Sequence, residues 1–490
     1  MTDEVAALRS LARAVGDHTL YAAAARLAHA RHEAVWVVGG TVRDALLGRP
    51  WHDLDLALEA ELVLPFARAL ATETSATLVP LDDRLPTVRV VAGAGDGRVE
   101  VDLSGLRGAG IAGDLAARDL TVNALAVSLE ELGAGGVPAI VDPTGGIDDL
   151  RRAWIRVPSP SVLADDPLRV LRAHRFAATL GFTIEPRTRE ALRAHAGALA
   201  SAAAERIRDE LFKLLGAPGA GARLTDLWED GLLGVILPEV EAMDGVTQNT
   251  FHHLDVLHHT LEACRAFDEV CHDPGRFFGD HGSVIEAYLA EGPNAALVLL
   301  SVLLHDVAKP ATRVVDESGV HFYRHEAVGA EMTEAICARL RLSNRHTDTL
   351  VRWVAQHLGL KDLILLHRER RLVDRTVRRF LRRAGEDLAG LLSLVLADTR
   401  ATRGPDFPPD AEVLLLDVCG RLLDEDRVRR ADPSLARPLL RGRDLIEELG
   451  LAPGPLLGEL LAAVEEARLD GTLRGRDDAL AWLRARLQIG

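Results

Sequence analysis

The chain has 490 residues, 48% hydrophobic but only 4% aromatic, and carries a formal net charge of −16. This length calls for two to four domains, and the scarcity of aromatics beside abundant Ala, Leu and Arg favours packed helices over a β-sandwich. The acidic balance excludes a surface coated in basic residues for nucleic acid but allows a local basic track, and Cys264, Cys271, Cys337 and Cys419, with no CxxC spacing, predict reduced, mostly buried thiols.

Residues 1–30 have a charged amphipathic pattern that predicts a helical extension rather than a signal peptide. No later stretch holds ~18 uninterrupted apolar residues. The expectation is a soluble, cytoplasmic protein with no membrane partner.

Residues 31–147 carry the strand signals. AVWVVGG is a short apolar run ending at glycine, and DLDLAL, TVRVVAG and RVEVDLSG alternate. With the helical spacing of AELVLPFARALATETSA between them, they predict a small α/β unit with a mixed sheet. In a strand, residues two apart share a face, so Asp53 and Asp55 present both carboxylates to one point. That pairing suits Mg²⁺, which takes carboxylate and phosphate oxygens together. Gly39 and Gly40 allow backbone N–H groups to approach a phosphate, and Arg43 adds a cation. The stretch is therefore read as a holder of a metal-bound nucleoside triphosphate. Two-metal chemistry calls for a third carboxylate; Asp102 is the choice and Glu100 the runner-up. In ARDLTVNALAV, Arg118 is placed on phosphate and Asp119 on a ribose hydroxyl, while Asn123 is expected to brace the turn.

Residues 148–245 read as a helical neck. In ADDPLRVLRAHRFAA, Asp166, Arg169, Arg172 and Arg175 recur every third position, which on a helix makes a slowly winding stripe. An Asp–Arg pair can offer acceptor and donor to a base edge, with the later arginines meeting phosphate. A second helical region, 246–402, holds most of the histidines. HHLDVLHHTLEA and LLHDVAKP give His259 and the His305–Asp306 doublet, followed by His325, His357 and Asp398. Imidazoles and carboxylates arriving from several helices make a mixed nitrogen/oxygen site for a divalent metal, His325 and His357 completing a possible second one. His252, His253 and His258 are assigned to packing or surface. The run HRERRLVDRTVRRFLRR (367–383) is the candidate basic track, a solvated helix face being the alternative. After the Pro-rich RGPDFPPDAE, residues 403–490 predict a tail of short helices around a Gly/Pro turn, with RNA phosphate as a candidate contact.

The ordered set GGTVRDALLGRPWHDLDLAL, ARDLTVNALAV, DPTGGIDDL, DDPLRVLRAHRFAATLGFTIEPRT and AERIRDELFKLL resembles the class II tRNA nucleotidyltransferase and bacterial poly(A) polymerase family, within the DNA polymerase beta superfamily. The histidine-rich region is similar to the HD phosphohydrolase superfamily. The resemblance implies an α+β chain: a nucleotidyltransferase head, then an all-α neck, body and HD-type domain. It further implies Mg²⁺ on Asp53 and Asp55, triphosphate and sugar held by Gly40, Arg43 and Arg118, and Asp166 with Arg169 reading CTP or ATP without a template. An RNA 3′-hydroxyl would attack the α-phosphate and release pyrophosphate. Two departures, Ala117–Arg118 for a usual double arginine and Asp165–Asp166 for a usual Glu-Asp, keep the residues with assigned roles. The short stretch LSGLRGAGIAGDLAA between Asp102 and Arg118 stands where full CCA-adding members carry a longer flexible loop, and it favours CC addition. Poly(A) or A-only addition, an HD phosphohydrolase as the main activity, and a non-catalytic RNA-binding protein are the alternatives.

Overall fold

Alternating apolar residues in the first third of the chain bury one strand face after another and build its sheet. The computed structural model describes residues 4–51, 53–82, 86–93, 98–431, 438–469 and 472–488. They divide into two compact units, Met1–Ala217 with Asp226–Ile236, and Pro218–Thr225 with Leu237–Gly490. The expected neck, 148–245, is thus shared between the two.

In the first unit, helices α1 (Glu4–Asp17) and α2 (Thr19–Arg31) precede β1 (Trp36–Val38), α3 (Gly40–Leu46), β2 (Asp53–Leu58), α4 (Ala60–Thr74), β3 (Thr77–Asp82), β4 (Thr87–Ala92), β5 (Val99–Gly105), α5 (Gly110–Ala116) and β6 (Ala126–Ser128). The strands pair in the order β3-β4-β5-β2-β1-β6. In this sheet β2 and β5 run parallel and the other neighbours antiparallel, so it is mixed as expected. The parallel register sets Asp53 beside Glu100 and Asp55 beside Asp102. Leu54, Leu56 and Leu58 point the other way into the core with Phe66 and Leu70 of α4.

Beyond the sheet come short helices and the arginine helix, Arg169–Leu180, closed by Gly181 in a left-handed conformation. A small parallel pair, Trp154–Ile155 with Thr183–Ile184, lies on either side of it in sequence. Asp166 was expected on the helical stripe. It lies outside the helix, in extended backbone (φ −148°, ψ 107°), because it precedes Pro167 and the proline ring crowds a helical conformation at that position.

Among the described residues the second unit is helical apart from the hairpin Arg313–Asp316/Gly319–Phe322. Its core helices are Val256–His272, Asn294–Leu304, His325–Arg339, Asn344–Gln356 and Leu388–Ala401. The segment Asn294–Thr312 has the length and composition of a membrane span, but 78% of its most apolar window is buried inside the protein. It is the core helix leading to His305 and Asp306. The Pro-rich stretch after residue 402 is a packed connection: the Gly404 N–H donates to the Phe251 carbonyl (2.7 Å), and a Cβ at Gly404 would lie 2.2 Å from Phe251. Only glycine fits there. The tail helices Gly442–Leu449, Pro455–Leu469 and Arg476–Leu487 gather their own core around Leu445, Val464 and Leu483.

The basic track resolves into helix Asp374–Ala384 with charge partners: Arg375, Arg379 and Arg382 share Glu466, and Arg378 pairs with Glu425. That is the solvated, salt-bridged face. Cys264, Cys337 and Cys419 are buried and Cys271 exposed, all as free thiols; burial pushes the Cys337 thiol up to about 11.

Candidate functional site

The strand β1 ends at Gly39, whose φ of +68° turns the chain directly into α3. A Cβ there would sit 3.0 Å from Arg118 Nη1 and 3.6 Å from Asp55 Oδ2; one at Gly40 would sit 3.6 Å from Arg43 Nη2. Gly39, Gly40, Asp55, Arg43 and Arg118 therefore surround one spot. Thr41 stitches it: its Oγ1 donates to the Asp53 carbonyl (3.0 Å) and accepts from the Asp55 N–H (3.2 Å). The Arg118 Nε donates to buried Asp114 (2.9 Å), which fixes the guanidinium from below. Thr41 and Asp114 were not singled out in the sequence.

Four carboxylates crowd this face of β2 and β5. Burial, and then the Asp102 charge, raise the Asp55 carboxyl to about 6 despite Arg118 and Arg43. A cation is what such a cluster lacks. Part of that lack is met by Arg89 of β4, register partner of Asp102, which donates to both its oxygens (2.7 and 2.8 Å) and pairs with Glu100 at 2.5 Å. The signal for Arg89 was present, a lone arginine in the alternating TVRVV, but its partners lie across the sheet. Glu100 is also paired with Arg98.

Arg43 is buried and donates to Asn123 Oδ1 (2.6 Å) and to Asp44 (2.7 and 2.9 Å). Asn123 passes the contact on, donating to Asp119 (3.2 Å). Asp119 is buried as well and takes two bonds from Arg172 (2.6 and 2.8 Å), which outweigh the effect of burial and hold its carboxyl below the usual range. Arg172 and Arg175 both reach buried Glu210, at 3.4 and 2.8 Å. Arg43, Arg172 and Arg175 all lie over the Phe176 ring. Arg172 and Arg175 thus have carboxylate partners, Asp119 being bonded by Arg172 and Glu210 by both. Arg169 is buried and donates from Nη1 to the Val162 carbonyl (3.0 Å), while Asp166 is held by Arg206 (2.7 and 3.2 Å). Asn123 does brace the turn. Arg206 and Glu210 went unread because AERIRDELFKLL shows only amphipathic spacing.

In the second unit the predicted set converges on Asp306. His305 Nε2 is 3.2 Å and His259 Nε2 3.9 Å from Asp306 Oδ2; His325 Nε2 is 3.4 Å and His357 Nε2 3.9 Å from Oδ1. Asp398 approaches His259 at 3.0 Å and His305 at 3.5 Å. His305, His325 and His357 each direct Nδ1 to the carbonyl three residues earlier, at 2.7, 2.8 and 2.7 Å. That bond selects the tautomer and leaves Nε2 facing inward; all three Nε2 atoms are buried without a hydrogen-bond partner. Two ligand groups result, His259/His305/Asp306 and Asp306/His325/His357, sharing Asp306. Burial opposes charge on His305, yet Asp306 and Asp398 raise it to about 10, whereas burial drives His357 down to about 3. A cavity of about 520 Å³ opens beside the cluster, lined by Phe251, His252, Tyr323, Lys361, Arg368 and Phe407 among others. His252, assigned to packing, lies edge-on to His259 at 4.9 Å. Lys309, 2.6 Å from Asp306, was also missed; its spacing of three residues on one helical face was the available signal. His258 binds the capping Asp255 instead.

Comparison with known proteins covers the domains that carry both clusters. Residues 35–156 match the poly A polymerase head domain, 181–244 a probable RNA- and SrmB-binding site of polymerase A, and 256–394 the HD domain. The chain is 36% identical over 456 residues to an A-adding tRNA nucleotidyltransferase of Deinococcus radiodurans, covering 91% of this chain and 94% of that one. It is 36% identical to a CC-adding tRNA nucleotidyltransferase of Thermus thermophilus, covering 91% and 92%. A CCA-adding enzyme of Thermotoga maritima, solved with tRNA, shares the fold at a TM-score of 0.58 and 20% identity over 98% of this chain and 95% of that one. The chain belongs to the tRNA nucleotidyltransferase family that joins a poly A polymerase head to an HD domain.

Proposed function

We propose that this chain adds CMP from CTP to the 3′ end of tRNA, as a CC-adding enzyme. The observation that carries the nucleotidyl-transfer reading is the convergence of Gly39, Gly40, Arg43 and Arg118 on Asp55, beside Asp53 and Asp102. The raised Asp55 carboxyl fits a site built to receive a cation. Asp53 and Asp55 would hold Mg²⁺, with Asp102 as the third carboxylate and Glu100 as its rival. When bound, Mg²⁺ supplies the charge that acidifies a hydroxyl and stabilises a leaving phosphate. Gly39 and Gly40 admit the triphosphate, and Arg43 and Arg118 grip it. The RNA 3′-oxygen forms a bond to the α-phosphorus as the bond to the β-phosphate oxygen breaks, releasing pyrophosphate. Asp166 and Arg169 read the base. Arg172 and Arg175, spent on Asp119 and Glu210, act by holding that helix in place.

The CC preference rests on the segment between β5 and Arg118. It is short and ordered: α5 fills most of it, and Asp114 ties Arg107 and Arg118 together. A-only addition is the second reading, because the Deinococcus relative at the same identity bears that name. Labelled CTP or ATP offered with tRNA ending before CCA, tRNA ending in CC, and an unrelated RNA decides between them. CC addition to the first tRNA without AMP transfer to the second is expected. Transfer of AMP alone would overturn it.

We also read the histidine cluster as a metal site, because three inward Nε2 atoms gathered on the Asp306 carboxylate without hydrogen-bond partners fit a cation. The mixed nitrogen and oxygen donors suit a transition metal better than Mg²⁺, and the adjoining cavity suits hydrolysis of a phosphate ester as an accessory activity. The domain boundaries 1–30, 31–147, 148–245, 246–402 and 403–490 remain our division, with the tail as an RNA contact. A cytoplasmic enzyme is consistent with these roles.

A further inference from the structure

Asp166 has more partners than a base-reading carboxylate needs. Arg206, in the helix Ala204–Leu215, donates from Nη1 to Oδ1 (3.2 Å) and from Nη2 to Oδ2 (2.7 Å), and the Leu168 N–H donates to Oδ1 (3.1 Å). An ionised carboxylate offers about four lone-pair sites. These bonds use both sites of Oδ1 and one of Oδ2. One acceptor site, on Oδ2, is left.

We propose that Arg206 is a specificity-determining positioning residue, which fixes the Asp166 carboxylate so that it presents a single acceptor to the amino group of the incoming base. The proposal rests on the reading of Asp166 and Arg169 as the base-reading pair. Cytosine and adenine each offer an amino donor beside a ring-nitrogen acceptor. The remaining site of Oδ2 takes the amino proton. The Arg169 guanidinium, with only Nη1 engaged on the Val162 carbonyl, has N–H groups left for the ring nitrogen. Uracil and guanine place a carbonyl oxygen where the amino group should be, against a carboxylate oxygen that has no proton to give.

The two-pronged geometry is what makes this directional. Rotation about the bond carrying a carboxylate is soft, so a carboxylate held at one oxygen only would swing and offer acceptors over a wide arc. A bidentate arginine fixes the plane as well as the position. Asp166 itself sits in extended backbone ahead of the helix, where no helical turn restrains it. Arg206 is half exposed, with 53% of its side chain open to solvent, and exposed ion pairs add little to folding. Its removal should therefore register in selection rather than in stability.

The test is steady-state incorporation of CMP and UMP on tRNA lacking CCA by wild type, Arg206→Gln, Arg206→Lys and Asp166→Asn, with thermal melts of each. Arg206→Gln should melt like wild type, raise KM for CTP several-fold with a smaller change in kcat, and lower the CMP-to-UMP ratio by about tenfold, the lower end of what one good polar pair discriminates. Arg206→Lys, keeping the cation without the planar two-pronged fork, should recover part of the ratio. If folded Arg206→Gln keeps both the ratio and the KM, the proposal is overturned. An equal fall in kcat for both nucleotides at an unchanged ratio overturns it too, since that marks a merely structural role. Asp166→Asn separates the levels: an unchanged ratio there sinks the base-reading pair and this proposal with it, whereas a lost ratio there beside a kept one in Arg206→Gln sinks Arg206 alone.

Discussion

Replacing Asp55 by Asn should make the metal-free protein more stable while removing its activity. In the fold, burial and the Asp102 charge move the Asp55 carboxyl from 3.8 to about 6. At about 1.4 kcal/mol for each tenfold change in acid strength, the charged form costs up to about 3 kcal/mol at neutral pH. Because the folded value lies above the unfolded one, the cost is absent below about pH 3.8, grows up to about pH 6 and is complete above it. An amide of the same shape escapes it. For a domain of this size, ~2–4 °C per kcal/mol gives a melting point higher by up to about 6–12 °C. The assay is calorimetry in EDTA at pH 8 and again near pH 4.5, where the gap between variant and wild type should shrink. Added Mg²⁺ should raise the wild-type melting point and leave that of Asp55→Asn nearly unmoved. A folded Asp55→Asn protein no more stable than wild type in EDTA at pH 8 would refute the crowding of charge from which the metal site is argued.

Three other outcomes are expected. Gly39→Ala should lower kcat/KM for CTP by at least tenfold, because alanine at φ +68° is strained and its Cβ would press on Arg118 Nη1 at 3.0 Å; steady-state kinetics reads this directly. Asp306→Ala should strip bound transition metal, measured by elemental analysis of purified protein, while tRNA nucleotidyl transfer stays near wild type. Asp230→Ala should destabilise by about 3–5 kcal/mol in denaturant titration, since it leaves Arg189, Arg193 and buried His174 without their shared carboxylate. The Asp230 carboxyl, held at about 2 as His174, Arg189 and Arg193 outweigh its burial, gives a stabilisation present above about pH 4 and lost as pH falls toward 2.

What could be read beforehand follows the range of the interaction. Gly39, Asp53 and Asp55 were legible because a turn and a strand two-step are local patterns, and the sheet delivers them to one place. The choice between Glu100 and Asp102 was not, since both lie on one face of one strand; the β2–β5 register sets Glu100 beside Asp53 and Asp102 beside Asp55, so each flanks one member of the pair. The His305–Asp306 doublet announced itself, but His252 did not, because its neighbour His259 comes close only through the packing of the helix start against the preceding loop. Asp166 was misplaced onto the helix although Pro167, the residue that excludes it, stood in plain view. Arg89, Asp114, Arg206 and Glu210 fell below notice for a common reason. A charged residue on a strand or helix face reads as solvent-facing, and only the fold supplies the partner, 13 residues away for Arg89 and 40 for Arg206.

The arginine stripe shows how far that blindness alters a functional reading. Three guanidinium groups at helical spacing in an acidic chain invited phosphate as their partner. The fold spends two of them inward, on Asp119 and Glu210, carboxylates with no reason to be buried unless paired. The resulting row, Arg43 to Asn123 to Asp119 to Arg172 to Glu210 to Arg175, runs without a break from the glycine turn to the arginine helix. A buried ionic row of this kind adds little net stability against an apolar one, but breaking any member strands the next. On the reading proposed here, its value is geometric. The cation that grips the triphosphate and the helix that inspects the base share one set of bonds, so a nucleotide seated at one end is presented at a fixed distance to the other. A template does this for other polymerases by pairing; here the spacing would have to be built into the protein, and a row of charges that cannot slip without stranding a partner is a physical means of holding it.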